Sequence, residues 1–224
     1  TRTLSGTPSD NDVGTFPVKI KVSDGTPDTV FQPFRITVIN INDEPVLSNI
    51  ETVALAYNED DGEVAVTSTL NVSDVDDTDM DSARVWISAN FTGGEDILAF
   101  ANTAEITGAW NASTGVLKLT GTTSKANYQA ALRSITYENA DTADPVDLTR
   151  TVSFIISDGA LNSIIATRDI AISGVNDCPV ISGHGSLSTP EEDTILIKSG
   201  HLLFTDVDDD PGTISLEVAS GSNY

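Results

Sequence analysis

Cysteine is nearly missing from this chain of 224 residues: Cys178 stands alone. That excludes an internal disulfide framework and any zinc site built on paired cysteines. Histidine is almost as scarce, with His184 and His201 only, and 11 basic residues face 34 acidic ones for a net charge of −23. Such a chain repels nucleic acid and anionic lipid, so neither is an expected partner. No run of about 18 apolar residues is present, nor a signal-peptide pattern, so no membrane insertion is expected in this segment. Nucleophile motifs and phosphate loops are also lacking. Paired carboxylates are abundant enough to imitate a glycosidase, but each His reads better as an ordinary loop residue, and the chain is not expected to be an enzyme. It begins without Met and ends in Ser-Gly-Ser-Asn-Tyr, so a piece of something longer is expected.

What the chain does have is repetition. Ile41-Asn42-Asp43-Glu44-Pro45 returns 134 residues later as Val175-Asn176-Asp177-Cys178-Pro179. Each copy closes a run of strand character, and its Pro, with fixed φ and no N–H, opens the next unit. Upstream of each lies Ser-Asp-Gly, at Ser23-Asp24-Gly25 and Ser157-Asp158-Gly159, and the Asp-to-Asp distance is 19 residues both times. Glu59-Asp60-Asp61 precedes Asp74 by 15 residues, as Glu191-Glu192-Asp193 precedes Asp206. The expected organisation is therefore the tail of one repeat (1–45), one whole repeat (46–178) and the head of another (179–224).

With 39% hydrophobic residues the chain can bury a core. Val18, Ile20 and Val22 alternate with lysines, and Phe34, Ile36 and Val38 alternate with polar residues, which predicts a hairpin with one buried face. In the whole repeat, strands are expected at 64–72, 83–89, 115–120, 133–137, 151–157 and 164–172. Their density, with no βα alternation, predicts an all-β sandwich. One segment departs: Tyr128, Ala131, Leu132 and Ile135 have helical spacing, with Thr123 or Ser124 as N-cap, so a short helix over 124–135 should cover a sheet edge or end. Trp86 and Trp110 read as core aromatics, with Trp110 also open to a role in stacking on sugar.

The acids fall in turns. Asp74-Val75-Asp76-Asp77 and Asp206-Val207-Asp208-Asp209 can each present two carboxylates to one ion, with the intervening Val facing the sandwich. The Asn-Asp of each linker offers amide, carboxylate and backbone oxygens. All-oxygen, multidentate clusters favour a hard cation over zinc, copper or iron. Each cluster also has a plain reading: a D-G hairpin turn for Asp24 and Asp158, an Asx turn for the linkers, solvated charge for the D-x-D turns.

The succession of Ser-Asp-Gly, a β run, Asn-Asp-x-Pro, an acidic triplet and D-x-D resembles cadherin repeats, above all the cadherin-like repeats, dystroglycan-type and proteoglycan-type, of very large bacterial surface adhesins. The resemblance covers essentially the whole chain. It implies tandem immunoglobulin-like Greek-key β-sandwiches joined end to end, with calcium at the joints. By matching position, the first joint would use Asp10 and Asp12 from the base of the preceding repeat, Asn42 and Asp43 from the linker, Asp74 and Asp76 from the next repeat, and Asp158 from its last hairpin. The second would use Glu59, Asp60, Asp144, Asn176, Asp177, Asp206 and Asp208. The linkers depart from the family's D-x-N-D-N, with Asn40 in the first place and Glu44 or Cys178 in the last, so one ion per joint is expected rather than three.

The function expected is a calcium-stiffened stalk or fibre element of a cell-surface adhesin or filament, extracellular, with neighbouring repeats as partners. Self-assembly into a fibre, completing one chain's tail with the next chain's head, is a further expectation, and a surface glycan or protein is a candidate receptor. The alternative is a non-catalytic carbohydrate-binding module with Trp110 as its platform.

Overall fold

The computed structural model describes residues 5–25, 27, 29–196, 198–209, 214 and 215. It is predominantly β. Strands β1 (Gly14–Ser23) and β2 (Thr29–Val38) form an antiparallel hairpin. The next strands are β3 (Val46–Ser48), β4 (Leu55–Asn58), β5 (Val64–Ala65), β6 (Asn71–Ser73), β7 (Asp79–Ala89), β8 (Asp96–Ala99), β9 (Thr107–Asn111) and β10 (Val116–Ser124). Helix α1 (Lys125–Arg133) then leads to β11 (Thr136–Asn139), β12 (Arg150–Ser157) and β13 (Ala166–Ser173), and a final hairpin pairs β14 (Val180–His184) with β15 (Leu202–Thr205).

Six strands make the largest sheet, in the order β4-β13-β12-β7-β10-β9. All its pairings are antiparallel except β4 with β13, which run parallel. A three-stranded sheet (β5-β11-β8) and the β3–β6 pair complete the body. Period-two patterning builds the core between these layers: Val85 and Ile87 on β7, Leu117 and Leu119 on β10, and Val152, Phe154 and Ile156 on β12 join Leu98 and Tyr137 of the smaller sheet in one buried cluster. The result is an open, sandwich-like stack of sheets.

The helix falls where the spacing predicts. Ser124 caps it, accepting from Asn127 N, and Tyr128, Ala131 and Leu132 are buried. The Tyr128 hydroxyl lies 2.8 Å from the carbonyls of Asp81 and Gly121. Just before the helix, the β7–β10 register shifts between Thr120 and Thr123. Gly121 makes that possible: its φ is +135°, and a Cβ there would collide with the Glu105 carbonyl.

Four expectations need correction. The 64–72 strand is two short strands, because the chain between them turns so that buried Thr67 and exposed Ser68 both bond Glu51. The 133–137 strand begins only at Thr136, since Arg133 is the last helical residue and donates to Leu70 O and Asn71 Oδ1 at 2.7 Å. Trp86 is on the outer face of the large sheet, 4.2 Å from the Arg84 guanidinium, because it is in phase with Arg84 and out of phase with Val85 and Ile87. Only Trp110 packs on the core, edge-to-face with Phe91. Finally, the β1–β2 hairpin does not bury a face: Phe16, Ile20, Val22 and Ile36 remain exposed, since two strands alone cannot cover themselves.

Candidate cation site at the repeat joint

Four stretches far apart in sequence converge where the Asn42-Asp43 linker enters the central body. The Asp74–Asp77 turn is wound around one carboxylate oxygen: Asp74 Oδ1 accepts from Asp76 N (3.1 Å) and Asp77 N (2.9 Å). This is an Asx turn, so residues do not alternate as in a strand. The acids point inward and Val75 points to solvent at 69% exposure, which corrects the expectation that the Val faces the sandwich. From below, Lys125 at the start of α1 donates through Nζ to the Asp74 carbonyl at 2.8 Å and to the Asp77 carbonyl.

The linker closes over this turn. Asp76 Oδ2 accepts from Asn40 Nδ2 (2.7 Å) and Asp43 N (3.3 Å). Asn42 Nδ2 donates to Asp158 Oδ2 (2.8 Å), while Asp158 Oδ1 accepts from Ala160 N and Leu161 N in the last hairpin turn of the body. One oxygen each of Asp74, Asp77 and Asp158, all half-buried, then lie within 4.8 Å of one another. Two oxygens sharing a Ca²⁺ at about 2.4 Å each can be no farther apart than that. Asp74 Oδ2 and Asp76 Oδ1 are buried without a hydrogen-bond partner, a costly condition that a bound cation would remove.

Electrostatics reports the crowding. The Asp43 carboxyl is pushed up from its ordinary value, first by the charge of Asp10, then by burial and by Asp76 and Asp74. Burial raises Asp77, and Asp74, Asp76 and Asp158 add to it against Lys125. Asp76 is held down, chiefly by the Asn40 hydrogen bond. At Asp158 burial pushes upward, but hydrogen bonds from Asn42, Leu161 and Ala160 outweigh it and the carboxyl is lowered. Each pair of charges at this spacing repels by about 1 kcal/mol even at the dielectric constant of water.

The second linker repeats the arrangement. Asp206 Oδ1 accepts from Asp208 N (3.1 Å) and Asp209 N (2.9 Å), Asp177 N donates to Asp208 Oδ2 (2.5 Å), and Asn176 Nδ2 donates to Asp177 O (2.7 Å), the bond that Asn42 makes to Asp43 O at 2.9 Å. Glu59 reaches this linker because the parallel register sets Asn58 beside Ser173. It is 5% exposed, accepts from Val175 N through Oε2 (2.9 Å), and has Oε1 buried and unpartnered.

Not every predicted residue gathers at a joint. Asp12 turns back on its own 3-10 turn, where Ser9 N and Oγ donate to its Oδ2 at 2.9 Å, although its neighbour Asp10 does act on Asp43. Asp60 is the exposed, positive-φ tip of a turn that Asp61 closes through Asn58 N. Asp144 sits in a separate Asx turn around Asp141 Oδ1. Sequence reasoning passed over Asn40, Asp77 and Lys125. The D-V-D-D string displayed Asp77, but the assumption that alternate residues of the turn point the same way paired Asp74 with Asp76 and left Asp77 out; nothing in the string announces Lys125.

These features define a class, an acidic, predominantly β protein with carboxylate clusters gathered around two Asn-Asp linkers. Over 108 residues, 46% of the chain, it is 36% identical to Halomucin of Haloquadratum walsbyi, and it spans about 1% of that protein's length. No family model matches the chain.

Proposed function

We propose that this chain is a non-enzymatic, calcium-binding segment of a large extracellular protein, whose immunoglobulin-like, cadherin-like repeats are held in line by calcium at their joints. The observation that carries the reading is the half-buried triad of Asp74, Asp77 and Asp158 beside the unpartnered oxygens of Asp74 and Asp76. The donors are all oxygen, as a hard divalent ion requires. An ion there cancels repulsion across the joint and ties linker, D-x-D turn and last hairpin to one point, turning a hinge into a strut. The same turn geometry at Asp206–Asp209 supports a second such joint. Sites of this kind in extracellular modules bind Ca²⁺ with dissociation constants of about 10⁻⁴–10⁻³ M, so they fill outside cells. Likeness to part of a protein named as a mucin supports an extracellular setting.

The test is a thermal melt in about 10 mM calcium and in excess chelator, paired with small-angle scattering. At about 100-fold saturation the ion should add roughly 2.7 kcal/mol, and chelation should shorten the particle. Identical melts and identical scattering in both conditions would end the proposal.

A further inference from the structure

Six basic residues lie in the central repeat, and four are consumed by the fold. Lys125 and Arg133 hold backbone carbonyls, Arg150 is buried among acids, and Arg168 bonds Val66 O and Glu51. The other two, Arg84 and Lys118, are direct cross-strand partners on β7 and β10. Like charges placed opposite each other on a sheet repel and destabilise. Among the described residues no carboxylate lies within ion-pair distance of either. A chain with 34 acids could neutralise this pair with one substitution, yet the fold sets Ile155 on the far side of Arg84 and continues the groove with Ser82, Ser157 and Asn162, none of them acidic. The Trp86 ring, stacked on the guanidinium at 4.2 Å, keeps Arg84 in place.

The groove runs over the three strands β12, β7 and β10, which are interior to the six-stranded sheet. Their backbone groups are engaged in ladders, so an extended peptide cannot dock by adding a strand. Only side chains are on offer: two cations, the Ser82 hydroxyl, the Asn162 amide and an aliphatic floor, the Ser157 hydroxyl being spent on Leu161 O (2.8 Å) and Gly159 N (3.2 Å). Two adjacent cations match one isolated anionic group and not the closely spaced charges of a nucleic acid, about one per 1.7 Å of duplex.

We infer that the outer face of the large sheet binds an acidic polysaccharide, with Arg84 and Lys118 holding a sugar carboxylate or sulfate and Ser82 and Asn162 meeting the hydroxyls. The groove contains no residue of the joint, so this inference stands apart from calcium binding. The test measures binding of oligogalacturonate to the whole chain in chelator, with neutral dextran and poly-glutamate as comparisons. Supporting results are saturable binding of oligogalacturonate, none of dextran, and at least a tenfold loss in the Arg84→Gln, Lys118→Gln double variant with an unchanged or raised melting temperature. Equal binding by the double variant, or equal binding of poly-glutamate, overturns it. A lowered melting temperature in both single variants would also do so, by assigning the pair to stability.

Discussion

Asn42 Nδ2 meets Asp158 Oδ2 at 2.8 Å, joining the linker to a hairpin turn 116 residues later. A neutral amide here satisfies one oxygen of Asp158 and leaves the other to its own turn. Replacing it distinguishes a hydrogen bond from a charge site. Asn42→Ala should cost about 1–2 kcal/mol, the worth of a partly buried bond to a charged group. Asn42→Asp has a similar shape but adds one more carboxylate to those of Asp43, Asp74, Asp76, Asp77 and Asp158. In chelator it should melt below Asn42→Ala, and calcium should restore more of its stability. Melts of the two variants in both conditions check this.

The joint's carboxylates should titrate in opposite senses. Asp158 and Asp76 are lowered below the ordinary value of 3.8, so their stabilisation is present above that value and is lost as pH falls through the lower folded pKa. Asp43 and Asp77 are raised, so ionising them in the folded state subtracts stability as pH rises above 3.8. In chelator near neutral pH, Asp77→Asn should therefore raise the melting temperature and Asp158→Asn should lower it. With calcium present both should reduce the calcium-induced shift. Melting curves at pH 7 with and without chelator decide it.

Much of this was legible in the sequence because repetition and periodicity are local signals. The alternation in 151–157 and 83–89 placed β12 and β7, and Tyr128, Ala131, Leu132 and Ile135 placed α1, because those side chains report one buried face directly. The acids were visible as clusters, but which acids share a point depends on turn geometry. Asp74 draws two N–H groups onto one oxygen and so rotates Val75 outward, an outcome that strand periodicity cannot give. Strands β8 and β9 were missed because their short runs lie among Gly, Asn and Thr, and Asp96 at the start of β8 is buried for an ionic partner in β12.

Glu51 is a separate anchor. Burial pushes its carboxyl upward, but hydrogen bonds from the Thr67 hydroxyl (2.6 Å) and from Ser68 N and Oγ (2.9 and 3.0 Å) overcome that and bring it down from 4.5 to about 2. Its contribution is complete above about 4.5 and disappears as pH falls through about 2. Glu51→Gln should thus lose about 2 kcal/mol at pH 7, as for hydrogen bonds to a charged group, and match the parent chain below pH 2. Denaturant titrations across that range provide the measurement.

Arg150 lies fully buried beneath the loop that precedes β12. Its Nε is 3.0 Å from both oxygens of Asp96, Nη2 is 3.3 Å from Glu95, and Nη1 bonds the carbonyls of Val146 and Leu148 at 2.7 Å. Asp96 also accepts from the Tyr137 hydroxyl (2.6 Å) and Thr92 N (2.6 Å). Arg150→Met fills similar volume but leaves the Asp96 charge buried with neutral donors only, and should cost about 3–5 kcal/mol. Adding Asp96→Asn removes that charge and keeps an acceptor for Tyr137, so the double variant should recover part of the loss. A double-mutant cycle by urea unfolding gives the coupling. Near-zero coupling would mean that the carbonyl contacts of Nη1, and not the ion pair, fix this corner of the sandwich.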